Sequence, residues 1–203
     1  RYFDLKIVLI FLSVYYNINR VLFFNKALLS QNGKIMKTVI IGGGASGISA
    51  AIRLKQLNSD MSVTVIEHLG EIMKKIYATG NGRCNITNKY ARHYDEVEQF
   101  LGSLGLILRE DEKGRMYPYS NQASTVAEIF TDACKKLGVE LITQCNAKSV
   151  DFCGGMYHTY TDKGIFESDY LILATGGKSQ APLGSDGSGY ALAKKLGHKI
   201  TDL

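Results

Sequence analysis

Two glycine-rich strings hold the residues whose types and spacing could do chemistry. The first is Gly42-Gly43-Gly44-Ala45-Ser46-Gly47, which fits GxGxxG at Gly42, Gly44 and Gly47, with Glu67 following 20 residues after Gly47. Between a strand and a helix, each glycine has its own task. Gly42 permits a tight turn, Gly44 lets backbone approach a pyrophosphate, and Gly47 lets the helix pack closely on the strand. A helix starting at Ala45 and Ser46 presents unpaired N–H groups to phosphate oxygens. An acid at the position of Glu67 accepts hydrogen bonds from ribose hydroxyls. It also favours a free hydroxyl over a ribose phosphate, because two anions would repel there.

The second string is Thr79-Gly80-Asn81-Gly82-Arg83-Cys84-Asn85-Ile86-Thr87-Asn88. Its glycines permit backbone approach to an anion, and the Arg83 guanidinium can pair with phosphate. Composition alone fits a surface turn equally well. Cys84 has cationic neighbours in Arg83, Lys74 and Lys75, which would lower a thiol pKa. No histidine stands beside it to act as a base, so a packed structural thiol is the preferred reading. Two other motifs fail. Gly177-Lys178-Ser179 ends like a P-loop, but Ile172 occupies the required first glycine. Tyr190 and Lys194 have the spacing of a short-chain dehydrogenase pair, without that family's glycine loop.

The elements that must position these residues follow from periodicity. The β-branched run 38–41 predicts a strand buried on both faces, and 62–66 a second one ending at Glu67. Ile48, Ala51, Ile52 and Leu57 mark one face of the helix between them. Residues 95–104 and 124–137 read as helices. The second has Thr125 and Glu128 in capping-box spacing, an apolar face including Val126, Ile129 and Phe130, and a stop at Gly138. The charged run 109–115 reads as a solvated loop. A strand is expected over 139–143. Three short β segments (147–153, 156–161 and 165–168), divided by Gly154-Gly155 and Asp162-Lys163-Gly164, predict a meander. A buried strand over 170–175 ends on Gly176-Gly177, and a last helix opens near Gly189 and closes at Gly197.

The chain has 203 residues, 45% hydrophobic and 21% charged, which excludes wholesale disorder. Four cysteines without a CxxC pair and four scattered histidines exclude a disulfide scaffold and a zinc module, and suit a reducing compartment. Residues 1–35 carry five of the 24 basic and one of the 19 acidic residues, so residues 36–203 have a net charge of +1. That balance gives no general attraction to nucleic acid. Residues 1–35 are rich in Phe, Tyr, Asn, Ile and Lys and precede Met36; they read as a translated upstream extension, with a membrane tether as the alternative. Their apolar run at 7–16 is about half the ~20 residues that a bilayer-spanning helix needs.

The order of glycine loop, acid-ended strand, meander and a strand ending Ala174-Thr175-Gly176-Gly177 resembles the FAD-binding domain of two-dinucleotide-binding flavoproteins. Three strings narrow the resemblance: 78–88, Gly114-Arg-Met-Tyr-Pro118, and 173–179 with 184–190. They are similar to the BaiN/YhiN-type family of NAD(P)/FAD-dependent oxidoreductases, also described as the aminoacetone oxidase family. The resemblance implies an α/β, Rossmann-like FAD-binding domain with a three-stranded β-meander over residues 36–203. It implies FAD as cofactor and NAD(P)H as a candidate electron donor. Gly42, Gly44, Ala45, Ser46, Gly47 and Glu67 would hold the ADP half. Gly80, Asn81, Gly82, Arg83, Cys84 and Asn85 would line the flavin side. Ala174, Thr175, Gly176 and Gly177 would pass beneath the cofactor, and the strand near Ala147 would meet the adenine.

The expected function is the FAD-binding part of a cytoplasmic flavin oxidoreductase acting on a small molecule. No nucleic acid partner is expected, and no membrane unless residues 1–35 form a tether. The family pattern continues with a substrate domain and a return segment, so this chain is expected to be the first part of a longer protein. No catalytic acid, base or nucleophile is assigned. Two rivals stand beside this reading. An NAD-dependent dehydrogenase would continue with alternating strands and helices rather than a meander. A flavin-containing RNA-modifying protein would be expected to carry a basic-aromatic stripe, which this sequence does not show.

Overall fold

The structure is a computed structural model that describes residues 7–9 and 35–201. In chain order the elements are β1 (Ile7–Leu9), β2 (Lys37–Ile41), α1 (Ala45–Leu57), β3 (Ser62–Ile66), α2 (Lys74–Tyr77), β4 (Thr87–Asn88), α3 (Tyr94–Ser103), β5 (Leu108–Glu110), β6 (Arg115–Pro118), α4 (Ala123–Lys136), β7 (Glu140–Ile142), β8 (Ala147–Cys153), β9 (Met156–Thr161), β10 (Gly164–Ser168), β11 (Tyr170–Leu173) and α5 (Ser188–Lys195). Single 3-10 turns lie at Thr79–Gly82 and Ala181–Leu183.

A parallel sheet in the order β1-β11-β2-β3-β7 forms the frame. Of its inner strands, β2 and β3 are largely β-branched and β11 is Tyr-Leu-Ile-Leu, because side chains on both faces must be buried. Alternate residues of one strand serve different layers. Ile40, Val63, Val65 and Ile172 pack with α1 and α4, through Ile48, Ile52, Val126 and Phe130. Val39, Ile41, Leu171 and Leu173 pack on the other face against Val150 and Tyr157 of the meander and Leu192 of α5. The expected α/β Rossmann-like architecture with its three-stranded meander, order β10-β9-β8, is therefore the observed one. Ile7–Leu9, inside the segment that the sequence sets apart, is the edge strand beside β11. The extension-or-tether reading of the rest of that segment lies outside the described residues.

Two expectations are corrected. Thr125 does not cap a helix: α4 starts at Ala123 after Gln122, with no side-chain cap, and Thr125 and Glu128 both lie inside it. Ala123 is already part of the buried face, so tertiary packing carries the helix past the local capping signal. The charged run 109–115 is only partly a loop. Its ends belong to β5 and β6, which pair antiparallel and join β4 in a second three-stranded sheet. The turn is closed by Asp111, whose carboxylate accepts N–H bonds from Lys113 at 2.9 Å and Arg115 at 3.0 Å and pairs with the Arg115 guanidinium at 2.6 Å. Gly114 completes it at φ +71°.

Candidate nucleotide-binding site

The carboxyl ends of β2, β3 and β11 converge on a cavity of about 460 Å³, lined among others by Gly42 to Ser46, Glu67, Ala147 and Ala174 to Gly177. This is the crevice in which open parallel sheets hold ligands. The structure thus gathers residues from three expected groups, the glycine loop, Glu67 and the end of β11, together with Ala147 at the start of β8. Gly47 stands just behind the wall.

The glycines of the first loop are required for different reasons. A Cβ on Gly47 would lie 1.9 Å from the Gly42 carbonyl oxygen, and one on Gly42 would lie 2.4 Å from the Ala174 carbonyl oxygen. Gly42 also has φ +111°, where other residues are strained. Both are therefore fixed by the protein's own packing. Gly44 is not. Its φ of −74° suits any residue, and a Cβ there would meet nothing within 4 Å. Neither conformation nor protein packing accounts for Gly44, whereas a phosphate seated against the backbone would. Gly44 is the N-cap of α1, with no side-chain cap and no acid in the first turn. The N–H groups of that end are left for a ligand in the cavity.

Glu67 is 7% exposed and held rigidly. Its Oε2 accepts the Gly43 N–H at 2.7 Å and its Oε1 accepts the Leu69 N–H at 2.8 Å, with His68 Nδ1 3.1 Å from Oε1. The carboxylate thus braces the glycine loop while keeping acceptor capacity on both oxygens.

The second glycine loop is built differently. Gly80, Asn81, Gly82 and Cys84 all take positive φ, at 57°, 56°, 79° and 59°. The small β4-β6-β5 sheet supports this turn. The Arg83 guanidinium lies 5.0 Å from the centre of the buried Tyr117 ring, and the Ile86 N–H donates to Met116 O at 2.9 Å. Of this string only Thr79 lines the cavity; the structure does not bring Gly80 to Asn85 into it. Asn85 Oδ1 is buried without a hydrogen-bond partner. Burial pushes the Cys84 thiol above its ordinary range, against a smaller opposing effect of the Thr79 hydroxyl, as a packed thiol requires.

Sequence reasoning missed several lining residues. Lys75 and Ser185, 110 positions apart, meet through a hydrogen bond from Lys75 Nζ to Ser185 Oγ. Tyr190, whose spacing to Lys194 fails as a dehydrogenase pair, also lines the cavity. No local motif marks these residues, because the loop after β11 folds back over the β3–α2 segment. Among the described residues no His, Cys, Asp or Glu cluster could hold a metal, and no helix is long and apolar enough to cross a membrane.

The model of the HI0933-like protein Rossmann domain matches residues 36–99 and 91–203. The chain is 39% identical over 181 residues to the 3-dehydro-bile acid delta(4,6)-reductase of Clostridium scindens, covering 80% of this chain and 44% of that protein. It is 26% identical over 184 residues to the ribosomal RNA dihydrouridine synthase of Haemophilus influenzae, covering 79% and 45%. The chain therefore spans less than half the length of these relatives. Among solved structures, Thermovibrio ammonificans THI4 aligns with a TM-score of 0.57 at 17% identity, covering 81% of this chain and 64% of that one. That likeness concerns the fold alone.

Proposed function

From the premise that this chain belongs to the HI0933-like family of Rossmann-domain proteins, we propose that it is the FAD-binding part of a flavin-dependent oxidoreductase. The observation that carries this reading is the space at Gly44: a glycine that neither backbone conformation nor packing requires, at an uncapped helix start, facing the cavity. The backbone N–H groups of Ala45 and Ser46 hold the pyrophosphate. Glu67 accepts from the adenosine ribose, and the start of β8 at Ala147 borders the adenine. The Ala174–Gly177 turn supports the cofactor from below. Gly80 to Asn85 lie outside the cavity beyond Thr79, and would border the flavin only where the cofactor extends past that edge, where a ring donor could reach the orphaned Asn85 Oδ1. Bound FAD supplies hydride or electron transfer at its isoalloxazine, and the protein's part is to bind, orient and shield it.

A small molecule is the substrate class of this reading, with NAD(P)H as the candidate donor. The family match and the reductase relative support it. The described cysteines are all free thiols, which fits the cytoplasm. In this reading residues 36–203 carry the FAD-binding domain, to whose sheet Ile7–Leu9 adds an edge strand. A second reading, action on RNA, is favoured by ribosomal RNA dihydrouridine synthases among the relatives, at 26% and 24% identity. Salt-sensitive retention of RNA by the purified chain would support it.

Thermal unfolding with FAD, NAD or NADP tests the proposal. A ligand that binds only the folded form stabilises it by ~2.7 kcal/mol at a hundredfold excess over Kd. Stabilisation by FAD and not by NAD is the expected result. The reverse would hand the site to a nicotinamide dehydrogenase.

A further inference from the structure

The charge most in need of explanation in the cavity is that of Lys75. Its ammonium reaches across from α2 to the Ser185 hydroxyl, in the loop that follows β11. Among the described residues it pairs with no carboxylate. Glu67 is engaged by Gly43, Leu69 and His68. Burial, the sole cause acting on it, pulls its pKa below the ordinary lysine range. A partly desolvated cation whose one partner is a neutral hydroxyl gains from an anion that completes the site.

Its position says which anion. The Met73 N–H donates to Gly43 O at 2.8 Å, so the segment carrying Lys75 is anchored on the glycine loop two residues earlier. The Nζ lies 3.8 Å from where a Cβ on Gly176 would stand, beside the turn against which Gly42 packs. The amine therefore lies beside the Gly176 turn, on a segment anchored to the glycine loop, and lines the same cavity as the open start of α1. We propose that Lys75 is the cation that binds the pyrophosphate of the dinucleotide, exchanging the Ser185 hydroxyl for a phosphate oxygen as the ligand enters. This rests on the dinucleotide reading of the cavity and adds to it a residue outside the glycine motif.

Calorimetric titration of the 203-residue chain with ADP, adenosine and FAD separates the outcomes. A charge-assisted hydrogen bond removed from a phosphate costs ~10- to 100-fold in Kd. Lys75→Met should weaken ADP and FAD by that factor and leave adenosine unchanged, while Lys75→Arg restores most of the affinity. Lys75→Gln serves as a second neutral variant, with unfolding of each unliganded variant recorded alongside. If wild type binds ADP and both neutral variants bind it equally well, the assignment of Lys75 is overturned and the site reading stands. If FAD weakens but ADP does not, the cation serves the flavin and the assignment is overturned. Equal weakening of ADP and adenosine would mean a structural role and would also overturn it. If wild type binds neither ADP nor FAD, the site reading fails and Lys75 fails with it.

Discussion

The two glycine loops look alike in composition but use glycine for opposite purposes. Of the three motif glycines in the 42–47 loop, Gly42 and Gly47 are demanded by contacts within the protein and Gly44 by none, so that loop is arranged around a space. In the 79–85 loop the demand is conformational: four of its residues occupy the left-handed region, two of them not glycine, and a separate small sheet holds them there. Strain of this kind persists only where the surroundings over-determine it. The first loop is a cradle. The second is a shaped edge that only touches the cavity, through Thr79.

Substitutions can break or sharpen this contrast. Gly47→Ala should have the largest effect, because its methyl would stand 1.9 Å from backbone that cannot yield. A loss of about 3 kcal/mol or more in urea unfolding is expected. A near-neutral result would show that α1 does not pack on β2 as described. Gly44→Asp should do the reverse. Aspartate is a preferred N-cap, so unliganded stability should hold or rise by a few tenths of a kcal/mol. FAD-induced stabilisation should vanish, through charge repulsion at the pyrophosphate. Retained FAD binding would remove the functional meaning given to the open space.

In the second loop, Gly80→Ala should cost ~1–3 kcal/mol, since φ is +57° and the new methyl would lie 2.7 Å from the Asn85 amide nitrogen. Urea unfolding of this variant, read against Gly44→Asp, measures how far the strained loop depends on its glycines. The smallest effect should come from acid. Hydrogen bonding from Arg115 holds the Asp111 carboxyl down to about 2. A depressed carboxylate contributes stability above its unfolded pKa near 4, and this is lost as pH falls from there through about 2. Hydrogen exchange should therefore show the β5–β6 hairpin loosening across that window, and Asp111→Asn should remove the pH dependence there.

Much of the frame was legible because its signals are local. Continuous β-branched runs marked β2 and β3, and the paired turns at 154–155 and 162–164 marked the meander. The β4-β6-β5 sheet was not legible, because it pairs Thr87 with Met116 and Leu108 with Pro118, and short charged segments resemble loops until a partner strand is beside them. The capping box over Thr125 misled because burial of Ala123 carries the helix past it. The GxGxxG string pointed to a dinucleotide without telling its glycines apart. That required the distances from Gly47 to Gly42 and from Gly42 to Ala174.

The sequence by itself therefore determined the parallel frame and the meander, and pointed to a dinucleotide as the class of ligand. Hydrophobic period, turn chemistry and the glycine–acid register act over a few residues and can be read along the chain. Only the tertiary structure decided which groups surround the cavity: Lys75 against Ser185, Glu67 bracing Gly43, and the space left at Gly44. These depend on where separate segments come to rest against one another. Desolvation and close approach are properties of that arrangement rather than of any residue or its neighbours in the chain.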